Sequence, residues 1–348
     1  MPNQPLSERQ EQILQAVVHL YTTTAEPVGS RVIVKQFSLG ISPATVRNVM
    51  SDLEEYGYIK QVHTSSGRIP TDIGYRYFVD YLMKVQEVTF KDRQQIEDNF
   101  TTQLDDADEI LRQTSKLLAL VSRQTGLVEA PIPSIAKIRH IELLPLDSKR
   151  TILMIADNYG RVRTLVVAIP DIVRTDDSKT LSNFLNHHLA NTPLDQVQKS
   201  LESKLQLFID EQRHLAEQAL QVLNGLNAQN SDQLFLDGAN QLFEQPEFQD
   251  MKRAREVFGL LEEKDTITEL MHVGTNTDST HSSRVIIGAE AEKQVFDEIS
   301  VVSAPYKIED ETVGMIGVLG PRRMPYSRLS GLVEYTADKL GRLLSRVK

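Results

Sequence analysis

Apolar side chains near the start of the chain recur first at helical spacing and then at strand spacing. The spacing predicts one helix over residues 7–24 and a second, shorter helix over residues 30–37. A third helix is predicted to begin after Ser42, a good N-cap residue, and to end before Gly57. Its apolar positions lie three and four residues apart on one face: Val46, Val49, Met50 and Leu53. Three helices joined by short turns therefore open the chain.

The opposite face of the third helix is polar and carries short side chains in its N-terminal half. A projection of about 100° per residue turns four positions outward: Ala44, Asn48, Ser51 and Glu55. Three further positions flank them: Thr45, Arg47 and Asp52. An ordinary solvated face is one interpretation, because polar outer faces are the default for amphipathic helices. A recognition face is the other interpretation.

A short β-hairpin is predicted directly after the third helix. Residues 58–62 have the pattern of a strand, residues 64–67 that of a turn, and residues 68–70 that of a return strand. Helix, turn, helix and hairpin in this order are typical of a winged helix-turn-helix domain that binds DNA. The order favours the recognition face over the solvated one.

The recognition helix of such a domain reads base edges mainly from its N-terminal half. Arg47 can pair with O6 and N7 of guanine, and Asn48 with N6 and N7 of adenine. Hydroxyl groups on the helix can bond phosphates, and a wing can add contacts to phosphate or to the minor groove. The predicted DNA-binding residues are Ser42, Thr45, Arg47, Asn48, Ser51, Lys60, His63, Ser65, Ser66 and Arg68.

The rest of the chain mixes helical and strand patterns. Thr71 is predicted to cap a fourth helix, and helical spacing returns over residues 90–122. Short turns then separate three strands, which predicts an antiparallel meander: Ile138 to Leu146, Thr151 to Asp157, and Arg161 to Ile169. Strand patterns resume only after Arg284, and a last helix is predicted from Tyr326 to Arg346.

Residues 178–273, between the two β blocks, are mostly helical in pattern. The simplest topology is therefore one α+β domain interrupted by a helical insertion. The longest predicted helix of the insertion covers residues 194–226 and has an apolar stripe: Val197, Leu201, Leu205, Phe208, Leu215, Val222 and Leu226. The stripe is either internal core or a seam between two subunits, and the pattern alone does not choose.

Charge is unevenly distributed along the chain. Residues 1–85 contain eight Lys/Arg and eight Asp/Glu and are therefore neutral. The 30 basic and 40 acidic residues beyond them carry the whole net charge of −10. A neutral domain attached to an acidic one attracts a phosphate backbone only weakly. We therefore expect a dimer, whose two-fold symmetry requires an inverted-repeat operator.

Composition gives little support to an enzyme or a membrane protein. The chain has no cysteine, which excludes disulfides, thiolate metal sites and a cysteine nucleophile. Apolar runs such as Leu165 to Ile169 reach only five residues, far short of a membrane span. His187, His188 and His214 lack the spacing that places two metal ligands on one helix face. We expect no metal, no cofactor and no catalytic residue.

Three glycines near the C-terminus form a GxxGxxG pattern: Gly314, Gly317 and Gly320. The pattern matches neither the dinucleotide fingerprint nor the phosphate loop, and it lies in a predicted strand. We expect bulges or tight packing to explain these glycines.

Two long segments and one short one resemble a known family. SPATVRNVMSDLEEYGYIKQVHTSSGRIPTDIGYRYFVDYL, ETVGMIGVLGPRRMPYSRLSGLVEYTADKLGRLL and the weaker match QLFEQPEF are similar to the HrcA family, the heat-inducible transcription repressors of bacterial chaperone operons. Two departures stand out. The segment from Val62 to Gly67 lacks the expected proline before the histidine and alanine before the glycine, and Arg322 stands where the family tends to have threonine.

The resemblance implies a multidomain α+β protein with a winged helix-turn-helix at its N-terminus. It implies a DNA-binding domain at residues 1–88, followed by a GAF-like domain formed by residues 89–177 and 284–348. A mostly helical inserted dimerising domain at residues 178–283 interrupts the GAF-like domain. The implied function is repression of heat-shock operons by a homodimer on an inverted-repeat operator, with release on heat stress and reactivation by the chaperonin GroEL. A soluble, cytoplasmic, nucleoid-associated protein is expected.

A second hypothesis keeps the winged helix and changes the signal. A GAF-like domain can hold a small ligand, so the chain could instead be a metabolite-responsive regulator. The sequence shows no cluster of polar residues in an apolar frame that would identify such a ligand. The response of operator binding to warming and to metabolites separates the two hypotheses.

Overall fold

The computed structural model of the chain has mixed helix and sheet content. It describes residues 6–62, 67–100, 106–147, 150–168, 175–204, 210–223, 234–273, 282–291 and 297–347. The α+β, multidomain class and the N-terminal winged helix predicted from the sequence are confirmed.

Three helices and a two-stranded ribbon form the N-terminal unit. Helices α1 (Glu8–Thr24), α2 (Ser30–Gln36) and α3 (Pro43–Glu55) precede strands β1 (Ile59–Gln61) and β2 (Arg68–Pro70), which pair antiparallel. The ribbon gains a third partner because the amide of Val28 donates to the carbonyl of Arg68 at 2.8 Å, and the amide of Arg68 donates to the carbonyl of Val28 at 2.9 Å. The core of the unit is apolar and drawn from all three helices: Ile13, Leu14, Val17, Ile33, Val46 and Leu53.

A helix capped by Thr71 follows the ribbon, as predicted. Helix α4 (Asp72–Tyr77) begins where the Thr71 hydroxyl accepts the amide of Gly74 at 3.1 Å. It continues as a π-helical turn, Phe78–Leu82, and gives way to extended chain at Met83. The helical pattern over residues 90–122 is met by two helices, α5 (Phe90–Phe100) and α6 (Ala107–Ser122).

A five-stranded antiparallel sheet forms the centre of the molecule, in the order β7-β3-β10-β9-β8. Its strands are β3 (Thr125–Glu129), β7 (Leu234–Asp237), β8 (Arg284–Ile287), β9 (Ile299–Ile308) and β10 (Glu311–Pro321). Helix α6 and the last helix, α13 (Tyr326–Val347), cover one face. The other face is covered by α11 (Met251–Glu262) and α12 (Lys264–His272), after the short α10 (Ala239–Phe243).

A separate three-stranded sheet lies between β3 and β7 in the chain. Strands β4 (Ile138–Pro145), β5 (Arg150–Asp157) and β6 (Val162–Ala168) form the predicted meander. Helices α7 (Thr175–Leu189), α8 (Val197–Lys204) and α9 (Asp210–Leu223) close one of its faces, and the two layers share their own apolar core. This unit is an insertion into the central sheet.

The strand pairing differs from the predicted topology, which joined the meander to the strands after Arg284. Two strands absent from the prediction, β3 and β7, occupy those places in the central sheet instead. Strand β3 is completely buried on both faces, so it lacks the alternation of apolar and polar residues that predicts a strand. Strand β7 has only four residues. The meander β4–β6 therefore does not share a sheet with the strands after Arg284.

The long helix predicted over residues 194–226 is divided in the structure. A 3₁₀ turn, Leu194–Gln196, leads into α8, and α9 follows as a second helix. Val197, Leu201 and Val222 are buried against the three-stranded sheet, which favours the internal-core interpretation of the stripe. Leu205, Phe208 and Leu226 fall outside the described residues.

The glycine pattern on β10 is explained by packing, as expected. A Cβ on Gly314 would stand 2.7 Å from the ring of Tyr306, beside a register shift between β9 and β10. A Cβ on Gly317 would stand 2.6 Å from the carbonyl oxygen of Val302. The glycines thus admit neighbouring groups of the same sheet. Within the described ranges, no helix is both long and apolar enough to cross a membrane.

Candidate nucleic-acid interface

The recognition helix α3 has the predicted bounds and the predicted two faces. The hydroxyl of Ser42 caps its first turn by accepting the amide of Thr45 at 3.2 Å, and Pro43 occupies the first helical position. Val46, Met50 and Leu53 are buried in the three-helix core. The polar face is turned to solvent, with exposed Ala44, Arg47, Asn48 and Ser51.

Arg47 and Asn48 are available for an external partner. Their side chains make no hydrogen bond and no ion pair with any residue in the described part of the chain. Both lie in the N-terminal half of α3, near the unpaired amides that give a helix N-terminus its favourable potential for a phosphate. This geometry fits base contacts from a helix in the major groove.

Three hydroxyl side chains of the predicted site, Ser42, Thr45 and Ser51, form local bonds at the recognition helix. The hydroxyls of Ser42 and Thr45 lie 3.0 Å apart, and Ser51 donates to the carbonyl of Arg47 at 3.1 Å. A hydroxyl that donates in this way still has lone pairs, so it can accept from water or a ligand amine but no longer donates to a phosphate. Ser51 is therefore the least suited of the three to bind phosphate in this conformation.

The ribbon presents one exposed cation and holds another in place. Lys60 projects from β1 into solvent, and its ammonium has no partner among the described residues. Arg68 is different, because its Nε and a terminal nitrogen lie 2.9 Å and 2.8 Å from Oε2 of Glu54 on α3. The other carboxylate oxygen of Glu54 accepts the amide of Gln61 at 3.0 Å.

Arg68 is predicted to bind DNA, and in the structure its guanidinium pairs with Glu54. Its guanidinium points back to the recognition helix, with 20% of the side chain exposed. Glu54 and Arg68, here termed the wing clamp, fasten the ribbon to α3. His63, Ser65 and Ser66 lie outside the described residues, so their predicted contacts stay predictions. Sequence reasoning missed Glu54 because a pair fourteen residues apart leaves no periodic signal.

Tyrosines behind the ribbon have a packing role. Tyr58 is buried, and its ring meets that of Tyr77 edge to face at 5.2 Å between centroids. Burial raises the pKa of Tyr77 to about 12, and its hydroxyl donates to the carboxylate of Glu11 at 2.8 Å. The phenol is therefore protonated at neutral pH and ties the end of α4 to α1.

Histidine and carboxylate side chains elsewhere in the described structure form local contacts and no metal site. The described residues contain no group of three or more His, Asp or Glu side chains that could hold a metal ion. The rings of His187 and His188 meet edge to face at 4.8 Å, and burial lowers the pKa of His188. His272 lies 2.8 Å from the buried carboxylate of Glu129, whose hydrogen bond raises the pKa of the imidazole.

A polar, exposed recognition helix on a three-helix core, followed by a clamped ribbon, defines a winged helix-turn-helix DNA-binding protein. Comparison with known families agrees. Residues 5–80 match the family described as "Winged helix-turn-helix transcription repressor, HrcA DNA-binding". Residues 108–329 match "HrcA protein C terminal domain". The chain belongs to the HrcA family.

Individual relatives extend over nearly the whole length. The chain is 33% identical over 343 residues to the heat-inducible transcription repressor HrcA of Pelotomaculum thermopropionicum, covering 98% of each protein. It is 36% identical over 339 residues to the repressor of the same name from Geobacter sulfurreducens, covering 97% of this chain and 98% of the relative. A solved structure titled "Crystal structure of a hypothetical protein at 2.2 A resolution" shares the fold, with a TM-score of 0.65 at 21% identity, over 99% of this chain and all of that one. Members of the family are named as repressors, which is not an enzymatic function.

Proposed function

We propose that this chain is a repressor of chaperone operons that binds an inverted-repeat operator as a homodimer and is released on heat stress. The observation that carries the proposal is the exposed pair Arg47 and Asn48 on a capped recognition helix, in a chain that belongs to the HrcA family. Arg47 is assigned to guanine and Asn48 to adenine. Thr45 and Lys60 are assigned to phosphates. Ser42 is assigned to the same phosphate site through the helix N-terminus that it caps.

Dimerisation is supported by the open face of the three-stranded sheet. Leu144, Ile152 and Val166 lie side by side across β4, β5 and β6, on the face away from α7–α9. Leu144 is 44% exposed and Val166 57%, and Val162 on the same strand is 50% exposed. An apolar face of this kind on a soluble regulator marks an interaction site. We assign a second copy of the chain to it, because the neutral DNA-binding unit needs two copies for useful affinity.

The strand pairing also leads us to propose revised domain bounds. The inserted dimerising unit comprises residues 138–223, with the sheet β4–β6 and helices α7–α9. The GAF-like domain comprises residues 89–137 and 224–347, which include all five strands of the central sheet. The winged unit keeps the predicted bounds, residues 1–88. The revised insertion is α+β in composition, with three strands and three long helices, whereas the predicted one was mostly helical.

The proposal also includes release of the repressor from DNA on heating and its reactivation by GroEL. It places the protein in the cytoplasm, associated with the nucleoid. They are supported by the family to which the chain belongs. Gel-shift titration on inverted repeats upstream of the host's chaperone operons tests them, before and after brief warming and with or without chaperonin. We expect warming to lower the fraction of active repressor and chaperonin with ATP to restore it. Binding that withstands warming but changes strongly with small metabolites would instead support the ligand-sensing alternative.

A further inference from the structure

The winged unit is packed firmly against the central domain. Its buried core is continuous with the core beneath the sheet and α13. Tyr75 of α4 and Tyr326 of α13 are both almost completely buried, and their rings meet edge to face at 5.8 Å between centroids. A DNA-reading unit tethered by a loose linker would bury no side chain of this size against its neighbour. The structure thus holds the unit in one orientation.

Arg323, in the turn between β10 and α13, joins three separate segments. Its guanidinium binds both carboxylate oxygens of Glu247, at 2.6 Å and 3.2 Å, and the amide oxygen of Gln245 at 3.2 Å. It also donates to the carbonyl of Thr22 at 2.8 Å, in the last turn of α1. That carbonyl belongs to the helix end that lacks partners within α1 and favours a cation. With side-chain exposures of 12% and 17%, Arg323 and Glu247 are shielded from solvent.

Two further arginines cross the same boundary. Arg322 binds Asp72 at the start of α4 at 2.7 Å and Glu298 before β9 at 3.0 Å. Arg76, one turn further along α4, binds the carboxylate of Glu290 at 2.6 Å through Nε and reaches the carbonyl of Val285. The two contact residues of α4, Asp72 and Arg76, are four residues apart and therefore lie on the same face of the helix, one turn from each other. Together they fix both the position and the rotation of α4.

The linker after α4 adds a fourth attachment. The amide of Gln86 donates to the carbonyl of Ser327 at 3.0 Å, and the hydroxyl of Ser327 donates to the carbonyl of Lys84. Gly331, one turn along α13, has the carbonyl of Gln86 so close that a Cβ there would overlap it. The linker therefore lies flat along α13, and its length adds no freedom to the winged unit.

We infer that Arg322, Arg323 and Arg76 are positioning residues that set the distance and angle between the two recognition helices of a dimer, and so the half-site spacing that the dimer accepts. The inference rests on the homodimer and inverted repeat proposed above. Two rigidly held recognition helices can meet both half-sites only at one separation and one rotation about the DNA axis. Winged units that rotate freely would tolerate several half-site spacings, because each unit could adjust its orientation independently.

The experiment compares spacing profiles of full-length variants. Each variant is titrated against operators whose central spacer is natural, changed by one or two base pairs, or lengthened by half a helical turn, about five base pairs. The variants are Arg322→Gln, Arg323→Gln, Arg76→Gln and the double variant Arg322→Gln/Arg323→Gln. A single half-site is included in each series. Arg342→Gln is the matched control, because Arg342 is largely exposed and, within the described residues, pairs only with Asp338 of its own helix.

The wild type should lose on the order of 100-fold in affinity on the half-turn operator, since the second contact is then lost. The double variant should lose about tenfold or less, with unchanged affinity for the single half-site. A wild type that is indifferent to spacing would contradict the dimer proposal itself. A spacing-sensitive wild type with an identical profile in the double variant would contradict only the positioning role.

Two other outcomes are also decisive. The double variant could bind every operator more tightly, the single half-site included. That result would mean that the arginines hold the winged units away from DNA, and it would overturn the inference. Should the double variant lose half-site binding together with a lowered melting temperature, the same criteria are applied to Arg322→Gln and Arg76→Gln, whose pairs are more exposed. Profiles like that of Arg342→Gln in both would then overturn the inference.

Discussion

The wing clamp gives a quantitative prediction about Arg68. A cation that binds a phosphate contributes about 0.9 to the slope of log affinity against log salt concentration. In the structure the guanidinium of Arg68 is instead engaged with Glu54. Arg68→Ala should therefore change the salt slope by well under 0.9, because it removes no phosphate contact. Lys60→Ala, which removes an exposed cation from the same ribbon, should lower the slope by about 0.9 if Lys60 meets a phosphate.

The same clamp predicts a stability cost and a gain of function. Hydrogen bonds to charged groups contribute about 1.5–3 kcal/mol when shielded, and exposed pairs about 0–1 kcal/mol. With 20% and 33% of the two side chains exposed, we expect a coupling of about 1 kcal/mol in a double-mutant cycle of Glu54→Ala and Arg68→Ala. Glu54→Ala also frees Arg68 and removes a negative charge beside DNA, so it should steepen the salt slope by up to about 0.9.

Urea denaturation of the four proteins of the cycle measures the coupling, and fluorescence anisotropy at several salt concentrations measures the slope. Glu54→Gln is the matched variant, because it keeps an acceptor for the amide of Gln61 while removing the charge that holds Arg68. A slope that falls by about 0.9 in Arg68→Ala, with a coupling near zero, would refute the clamp and restore Arg68 as a phosphate contact.

Three further predictions concern base reading, pH and assembly. Arg47→Ala and Asn48→Ala should each lose about 1–3 kcal/mol of discrimination at one base position in a panel of substituted operators, whereas an equal loss on all sequences would make the residue a phosphate contact. The raised pKa of His272 means that its bond to Glu129 stabilises the fold below about pH 6.5, and that this contribution disappears as the pH rises through the raised pKa. In urea melts, the free energy of unfolding of the wild type should therefore exceed that of His272→Gln most at low pH. A difference that grows with pH would contradict this. Val166→Asp should shift the chain towards monomer in analytical ultracentrifugation, while Leu120→Asp, exposed on α6, should not; two dimeric variants would exclude the sheet face as the interface.

Local signals explain which parts of the fold could be predicted. The cap at Ser42, the end at Gly57 and the apolar spacing between them all act within α3, so its bounds followed directly from the sequence. Strand β3 was missed because its five residues are all buried and therefore show no alternation of apolar and polar positions. The meander was found, but its sheet was assigned wrongly, because strand pairing depends on contacts far apart in the chain.

The candidate site shows the same division between local and distant causes. The outward direction of Arg47 and Asn48 follows from helical geometry alone, and the structure confirms their exposure. The direction of Arg68 depends on Glu54, fourteen residues earlier, and the orientation of the whole unit depends on Arg323, three hundred residues after α1 in the chain. No pattern within one element reports such contacts.

The arginine contacts also change the meaning of the charge distribution. The sequence counts eight basic residues in the first 85, but the structure commits Arg68 and Arg76 to carboxylates. Fewer cations are therefore available to bind phosphate than the count of eight basic residues suggests, and the affinity of one winged unit for DNA is correspondingly low. In the proposed dimer, binding strength then comes from two units that engage both half-sites at once. In the proposed dimer, the contacts that fix the orientation of the winged unit would govern operator choice as directly as the side chains assigned to the bases.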